Sequence, residues 1–432
     1  MKISIIGTGY VGLPTGVGFA ELGHQVICID KDKEKVALLK AGKSTLFEKD
    51  LDTLLLKNIQ AGRIHFTDSV CEGIKDAEVI IIAVGTPPHP VTKEADMKYI
   101  YAAVTEMAKC LDHYAVVAVK STVPVGTGEN VEGIIKDTNP NLVCDVVSMP
   151  EFLREGFAVS DFFNPDRVVI GTDSERARAI LSELYRDFPE KTKILMVKRR
   201  SAEMIKYASN AFLAMKIHYI NEMANLCEKV GADIAELAVG MGADTRIGYK
   251  FLNPGPGYGG SCFPKDTLAM AYTGRMNGVC LSLIENTIQK NDERKKQMAH
   301  RILKAVEDIP NAKIAVLGLA FKGGTDDCRE SPAMEIIVEL LSNEAKITAY
   351  DPKALDNAKK LLGDKINYAN DAYEAVKDAD VVAVLTEWDD FKDLDLSKIA
   401  TLMRSKNIVD CRNLWDKTKA EKLGFTYKGI GK

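Results

Sequence analysis

Short, unbroken apolar runs alternate along the first part of the chain with stretches in which apolar positions recur every three or four residues. The runs at residues 3–6, 26–29, 79–84 and 116–119 are rich in Ile and Val. A strand without polar alternation is buried on both faces, so these runs predict a parallel sheet between two layers of helices. Two further runs, 143–147 and 168–170, lead to a helical pattern at 173–185, and residues 194–197 close this first domain. Neither proline nor glycine interrupts residues 201–229. That stretch predicts one helix of about 40 Å at 1.5 Å per residue, long enough to connect two domains and to supply a subunit interface.

The opening pattern returns near residue 313. Lys313-Ile-Ala-Val-Leu-Gly318 repeats the first strand and turn, residues 346–351 repeat the second strand with its final Asp351, and 378–386 echo 76–86. The chain therefore reads as α/β, with two Rossmann-like domains at 1–198 and 301–432 flanking a helical middle domain at 199–300. A length of 432 residues is too great for one ordinary core. In the second copy the third glycine position is altered and the glycine-to-aspartate spacing is longer, so it need not bind a dinucleotide.

Charge and cysteine content narrow the function classes. With 57 Lys and Arg against 61 Asp and Glu, nothing draws the whole molecule to nucleic acid or anionic lipid. Any anionic ligand is held by local groups. Nine cysteines without a CxxC pair favour reduced thiols in a cytoplasmic protein over a disulfide scaffold. Met1 leads straight into a strand with no signal-peptide pattern, and no apolar run reaches the ~18 residues of a membrane span. The six histidines include no close pair, so no metal site is expected.

Two stretches carry chemistry. Gly7-Thr8-Gly9-Tyr10-Val11-Gly12 follows a strand and opens a helix, and Asp30 ends the next strand. This is the complete dinucleotide arrangement. Gly7 permits a tight turn, Gly9 admits the pyrophosphate to the backbone, and Gly12 lets helix and strand pack closely. The helix N-terminus stabilises the phosphate charge. Asp30 accepts from ribose hydroxyls and repels a 2′-phosphate, which favours NAD over NADP. The second stretch is Gly259-Gly260-Ser261-Cys262-Phe263-Pro264-Lys265-Asp266, a thiol between glycines and opposite charges. A thiolate can attack an aldehyde, and a dinucleotide can oxidise the adduct. Lys265 favours the thiolate, and Asp266 is placed to serve as base or to orient water.

These motifs, with Gly85-Thr86-Pro87-Pro88, Ser121-Thr122-Val123-Pro124, the 150–156 stretch Pro-Glu-Phe-Leu-Arg-Glu-Gly, Lys206 with Asn210, and Ala320-Phe321-Lys322 through Asp327-Cys328-Arg329-Glu330-Ser331, give the chain a resemblance to the nucleotide-sugar 6-dehydrogenases over essentially its whole length. The resemblance implies oxidation of a sugar C6 hydroxyl to a carboxylate with two NAD⁺, through a thiohemiacetal and a thioester on Cys262. It points to UDP-glucose as substrate, with UDP-N-acetylmannosamine or GDP-mannose as the alternatives within the family. A non-catalytic regulator that binds a nucleotide sugar is the alternative outside it. A homo-oligomer, expected as a dimer, is also implied.

The resemblance assigns residues as well. Lys206 and Asn210, four apart and so on one helix face, are implied to stabilise the oxyanion at C6 together. Thr122 is implied to hold a water for Asp266, and Glu151 to help activate the water that hydrolyses the thioester. Gly7, Gly9, Tyr10, Val11, Gly12, Asp30, Lys35, Thr86, Thr122, Glu155, Lys265 and Arg329 are implied to contact the cofactor. Glu151, Phe152, Leu153, Arg154, Lys206, Asn210, Arg246, Tyr249, Phe251, Leu252, Gly259, Lys322 and Arg412 are implied to contact the sugar nucleotide, Arg246 from a second subunit. Two positions depart from the usual pattern. Gly323-Gly324 follows Lys322, and Cys328 stands where threonine is usual, beside the expected cleft.

Overall fold

In β4 (Val79–Ile82) every side chain is buried, but they point into two different cores. Val79 and Ile81 join one cluster with Ile3, Ile5, Val26 and Val116, while Ile80 and Ile82 join another with Ile6, Val117 and Val119. Alternate residues of a strand face opposite ways, so an all-apolar run needs a covering layer on each side. The computed structural model, which describes residues 1–90 and 92–432, provides those layers with helices. It divides into two compact units, residues 1–209 and 210–432.

The first unit holds an eight-stranded sheet. Its strands are β1 (Lys2–Ile6), β2 (Gln25–Ile29), β3 (Ile64–Thr67), β4, β5 (Ala115–Val119), β6 (Cys144–Ser148), β7 (Arg167–Gly171) and β8 (Lys193–Val197). They lie in the order β3-β2-β1-β4-β5-β6-β7-β8. The expected parallel sheet is present from β3 to β6. The last two strands differ: β7 pairs antiparallel to β6 through Ser148 and Gly171, and β8 runs parallel to β7. Strand β3, absent from the sequence reading, sits at the sheet edge, where His65 is exposed between the buried Ile64 and Phe66.

The second unit holds a six-stranded parallel sheet in the order β11-β10-β9-β12-β13-β14. Its strands are β9 (Lys313–Leu317), β10 (Lys346–Tyr350), β11 (Asn367–Tyr368), β12 (Val381–Val384), β13 (Asn407–Asp410) and β14 (Thr426–Lys428). Ile220, Ala224, Ile234, Leu252, Met298 and Ile302 of the middle segment lie in the same core as Val316, Ile337 and Val382. The predicted long helix is a single element of 32 residues, Arg199–Val230, and it runs through the boundary between the units.

One expectation about the cysteines changes. Cys71 and Cys110 form a disulfide with their Cα atoms 5.1 Å apart, while the other seven cysteines are outside any disulfide. The two lie 39 residues apart in sequence, and the packing of helix Val70–Gly73 against helix Lys98–Cys110 brings them together. Among the described residues no helix is long and apolar enough to cross a membrane.

Candidate active site

In the first unit the glycine turn has the geometry that a dinucleotide requires. Gly7 has φ +103°, and a side chain there would press on the Ala83 carbonyl at 2.7 Å. A Cβ on Gly12 would lie 1.8 Å from the Gly7 carbonyl oxygen, so glycine is what lets the helix start so close to the strand. Gly9 has open space where its Cβ would be. The helix Gly12–Glu21 begins after Val11 with no side-chain cap, which leaves its N-terminal partial positive charge available to an anion.

Asp30 follows β2 beside this turn. One carboxylate oxygen accepts from the Thr8 amide (3.1 Å), the Thr8 hydroxyl (2.6 Å) and Lys35 Nζ (3.0 Å), and the other accepts from the Asp32 amide at 3.2 Å. Partial burial by itself would raise the carboxyl's pKa. The Thr8 and Lys35 bonds outweigh it and hold the group below its ordinary value. These features fit NAD: a backbone approach at Gly9, an uncapped helix end and an ionised, partly exposed carboxylate. At the ends of β4 and β5, the Thr86 hydroxyl donates to the Thr122 carbonyl at 2.9 Å, and the Ser121 hydroxyl donates to the Val84 carbonyl at 2.7 Å.

The loop after β6 carries Glu151, Phe152, Leu153, Arg154 and Glu155. Glu151 is buried, its Oε1 accepts from Lys206 Nζ at 3.0 Å, and its Oε2 accepts from the Leu153 amide at 2.5 Å. Phe152 lies under the Arg167 guanidinium, 3.7 Å from ring centroid to carbon, with Lys206 Nζ 5.3 Å from the same ring. Arg154 is turned away to Asp161, at 2.6 Å. Three groups that the sequence reading missed support this region. Glu48 accepts from the Gly156 and Ala158 amides. Glu203, one helical turn before Lys206, accepts from the Gly126 and Gly128 amides and the Ser148 hydroxyl. Lys120 follows β5 directly and is buried.

In the second unit Cys262 is the residue from which the helix Phe263–Met276 starts, and it is partly exposed. A helix N-terminus favours the thiolate. The two preceding glycines are shaped by what lies against them. A Cβ on Gly259 would sit 2.2 Å from the Glu330 carbonyl, while Gly260 has φ +83° and donates its amide to the Arg329 carbonyl. The Ser261 hydroxyl is 3.6 Å from the Cys262 sulfur. Asp266 is fully buried, and its carboxylate accepts from Asn210 Nδ2 at 2.6 Å and Lys265 Nζ at 2.5 Å.

Lys206 and Asn210, one helical turn apart, each bond a carboxylate of the chain. Lys206 bonds Glu151 and Asn210 bonds Asp266, because a buried ammonium and a buried amide each require an acceptor. The remaining predicted cations are held by neighbours. Arg329 pairs with Asp327 at 2.6 Å and Arg246 with Asp244 at 2.5 Å. Arg412 donates to the Leu385 carbonyl at 2.9 Å and to the Phe321 carbonyl at 3.2 Å, and it pairs with Glu387. Lys322 Nζ lies 5.4 Å from the Phe321 ring centroid. Tyr249 is exposed, Phe251 has φ +66°, and Leu252 is buried.

Both sequence departures have a physical account. A side chain on Gly323 would meet the Glu387 carbonyl at 2.4 Å, and Gly324 has φ +83°. Cys328 is buried in the core with its sulfur 3.7 Å from the Ala354 carbonyl, and burial pushes its thiol up to about 12.

Three family descriptions match the chain in order. They are the NAD binding domain of the UDP-glucose/GDP-mannose dehydrogenase family over residues 1–189, its central domain over 200–293 and its UDP binding domain over 315–417. The chain is 48% identical to a UDP-glucose 6-dehydrogenase of Rhizobium meliloti, with 100% of both chains covered. It is 44% identical to the UDP-glucose 6-dehydrogenase TuaD of Bacillus subtilis, with 100% of this chain and 93% of that protein covered. Among solved structures, a UDP-glucose dehydrogenase from Pyrobaculum islandicum superposes with a TM-score of 0.93 at 36% identity, over 100% of this chain and 97% of that one. A UDP-D-MAnNAc dehydrogenase from Pyrococcus horikoshii superposes with a TM-score of 0.87 at 30% identity, over 100% of this chain and 99% of that one.

Proposed function

The chain belongs to the UDP-glucose/GDP-mannose dehydrogenase family, and from that premise we propose that it oxidises C6 of UDP-glucose to the carboxylate of UDP-glucuronate with two NAD⁺. The observation that carries this reading is Cys262, partly exposed at the head of a 14-residue helix, with Asp266 on the same helix held by Asn210 and Lys265. The relatives at 48% and 44% identity, both named for UDP-glucose, support the choice of sugar.

When bound, NAD⁺ supplies one hydride acceptor for each two-electron oxidation. The chain's residues do the rest. The Cys262 sulfur adds to the C6 aldehyde, forming an S–C bond as the carbonyl oxygen takes up negative charge. Lys206 and Asn210 stabilise that oxygen. The second oxidation leaves a thioester, water adds to it, the S–C bond breaks, and the thiol regains a proton. Glu151 and Asp266 orient and deprotonate the water. Asp30, Lys35 and the turn from Gly7 to Gly12 hold the cofactor, together with Thr86, Thr122, Glu155, Lys265 and Arg329. Residues of the 151–154 and 246–259 segments hold the sugar nucleotide with Lys322 and Arg412, and the middle segment 199–300 acts as the module that carries the thiol.

The same reading extends to assembly and location. Phe212, Tyr219 and Leu226 recur every seven residues on the long helix and are 56%, 44% and 53% exposed, an apolar stripe that a second copy would cover in a cytoplasmic dimer. Light scattering of the purified protein checks the dimer, and a monomer at micromolar concentration refutes it.

The test is NAD⁺ reduction against UDP-glucose, UDP-N-acetylmannosamine, UDP-galactose and GDP-mannose. UDP-glucose is expected to win and to yield two NADH per sugar. Preference for another sugar, or one NADH per sugar at completion, overturns the assignment. Cys262→Ala is expected to stop acid formation, and Cys262→Ser to retain a sugar nucleotide on the peptide by mass spectrometry. Normal UDP-glucuronate output from Cys262→Ala removes Cys262 as the nucleophile. Cys328→Ala is the control and remains active.

A further inference from the structure

The segment that leads to Cys262 is held by side chains from other elements. Residues 252–259 form neither helix nor strand, and Asn253-Pro254-Gly255-Pro256-Gly257-Tyr258-Gly259 has little of its own to fix a conformation, since proline lacks an amide donor and glycine is costly to order. Two asparagines and an arginine supply the bonds. Asn291 Oδ1 accepts from the Tyr258 amide at 2.8 Å, and its Nδ2 donates to the Tyr258 carbonyl at 3.1 Å. Asn221 Oδ1 accepts from the Gly255 amide at 2.8 Å, and Arg294 Nε donates to the Gly255 carbonyl at 3.1 Å. Both main-chain groups of Gly255 and both of Tyr258 are therefore satisfied from outside the segment.

Asn221 lies on the long helix, and Asn291 and Arg294 lie on the helix Ser282–Lys304. They are 4%, 6% and 3% exposed. Asparagine is a poor residue for a helix interior, and a buried polar side chain is costly unless it is bonded. Arg294 Nη1 donates to Asn225 at 2.5 Å, while its buried Nη2 has no hydrogen-bond partner among the described residues. Helix propensity and packing by themselves favour apolar residues at these places, so what the three side chains contribute is the grip on the segment. Gly257 fits that grip: it has φ +129°, and a Cβ there would lie 2.8 Å from Asn291 Oδ1. On the other side, a Cβ on Gly255 would lie 3.0 Å from Arg412 Nη1.

We propose that Asn291, with Asn221 and Arg294, are positioning residues that hold the 255–258 backbone in the conformation that receives the sugar nucleotide and places the Cys262 thiol. The inference rests on the functional reading above, in which residues 246–259 hold the sugar nucleotide and Cys262 attacks at C6. A segment ordered in advance loses little freedom when the ligand arrives, so loosening it weakens sugar-nucleotide binding. A displaced thiol slows the covalent step. The glycine turn and Asp30, which hold NAD⁺, belong to the first unit and stand apart from this grip.

The test is steady-state kinetics of the purified full chain with both substrates varied. Asn291→Ala is expected to raise KM for UDP-glucose about tenfold and to lower kcat, with KM for NAD⁺ within about twofold of wild type. Asn291→Asp supplies a pH readout and serves alone if the Ala variant does not fold. Its ionised carboxylate still accepts from the Tyr258 amide but sets an oxygen against the Tyr258 carbonyl, whereas the protonated acid donates to that carbonyl as the amide did. The ratio of its UDP-glucose KM to that of wild type is therefore expected to fall from about ten at pH 9 towards one at pH 6. A ratio that does not change with pH overturns the proposal. So does an Asn291→Ala enzyme with a lower Tm and both KM values unmoved, or with both raised together, since a residue that only supports the fold gives those patterns. These results leave the functional reading intact, while a wild type that reduces no NAD⁺ with UDP-glucose overturns that reading and the proposal together.

Discussion

The two sheets open with the same strand, glycine turn and strand-end aspartate, and they use them in opposite ways. In the first unit the Gly7 to Gly12 turn leaves Gly9 facing open space, the following helix has no side-chain cap, and Asp30 is partly exposed. In the second, Gly318, Leu319 and Ala320 are buried, and the helix Pro332–Ser342 is capped by the Ser331 hydroxyl, which accepts from the Ala333 amide. Asp351 is 1% exposed and accepts from the amides of Leu319, Ala320, Lys353 and Ala354 and from the Trp388 indole. Asp30 also accepts four internal bonds, so what separates the two is exposure: Asp351 is closed off from any ligand, while 15% of the Asp30 side chain stays open. One supersecondary pattern thus presents donors and a carboxylate to a ligand in one copy and closes them on itself in the other.

The contrast can be broken most severely at Asp351. Asp351→Ala strands five donors and is expected to cost about 3–5 kcal/mol, whereas Asp30→Ala, which strands chiefly the Thr8 donors, is expected to cost about 1–2 kcal/mol. Chemical denaturation of both variants checks this. Equal losses would mean that the two carboxylates do the same structural work.

The glycines offer the next test. Ala at 318 would have to adopt φ +99° with its Cβ 2.4 Å from that of Thr386, so Gly318→Ala is expected to lose about 2–4 kcal/mol. Gly9→Ala meets nothing in the protein and is expected to fold normally, while KM for NAD⁺ rises about tenfold because the new methyl occupies the pyrophosphate's approach. Thermal melts separate the two, and NAD⁺ titration of Gly9→Ala completes the comparison.

Cofactor choice sharpens it further. Asp30→Ala is expected to narrow the preference for NAD⁺ over NADP⁺ by about a hundredfold in kcat/KM, through loss of ribose hydrogen bonds and of like-charge repulsion. The same substitution at 351 leaves the ratio unchanged in whatever fraction folds. An unchanged ratio in Asp30→Ala would show that its carboxylate does not face the ribose.

The smallest effect is a pH dependence. The folded-state pKa of Asp30 is lowered, so its contribution to stability is present above the unfolded value of about 3.9 and is lost as pH falls through the lower folded value. The Tm difference between wild type and Asp30→Asn is therefore expected to be small at pH 7 and to shrink as the pH falls below about 3.9. A difference that grows on acidification contradicts the sign.

Local composition carried much of this. Runs of Ile and Val announced both sheets, the absence of Gly and Pro announced the 32-residue helix, and the flanking glycines singled out Cys262. Strand β3 escaped because Ile64-His-Phe-Thr alternates and is short, which also describes a loop. The antiparallel turn of β7 escaped because strand direction leaves no mark on composition.

The sequence by itself determined the elements, the residue types of both candidate sites and the likeness between the two sheets, because periodicity and backbone freedom act over a few neighbouring residues. The tertiary structure alone decided which aspartate is left partly exposed and which is closed off, that Cys328 is buried, and that Lys206 and Asn210 hold different carboxylates. Those outcomes depend on desolvation and on partners brought from tens of residues away, and a side chain's burial cannot be read from its own type.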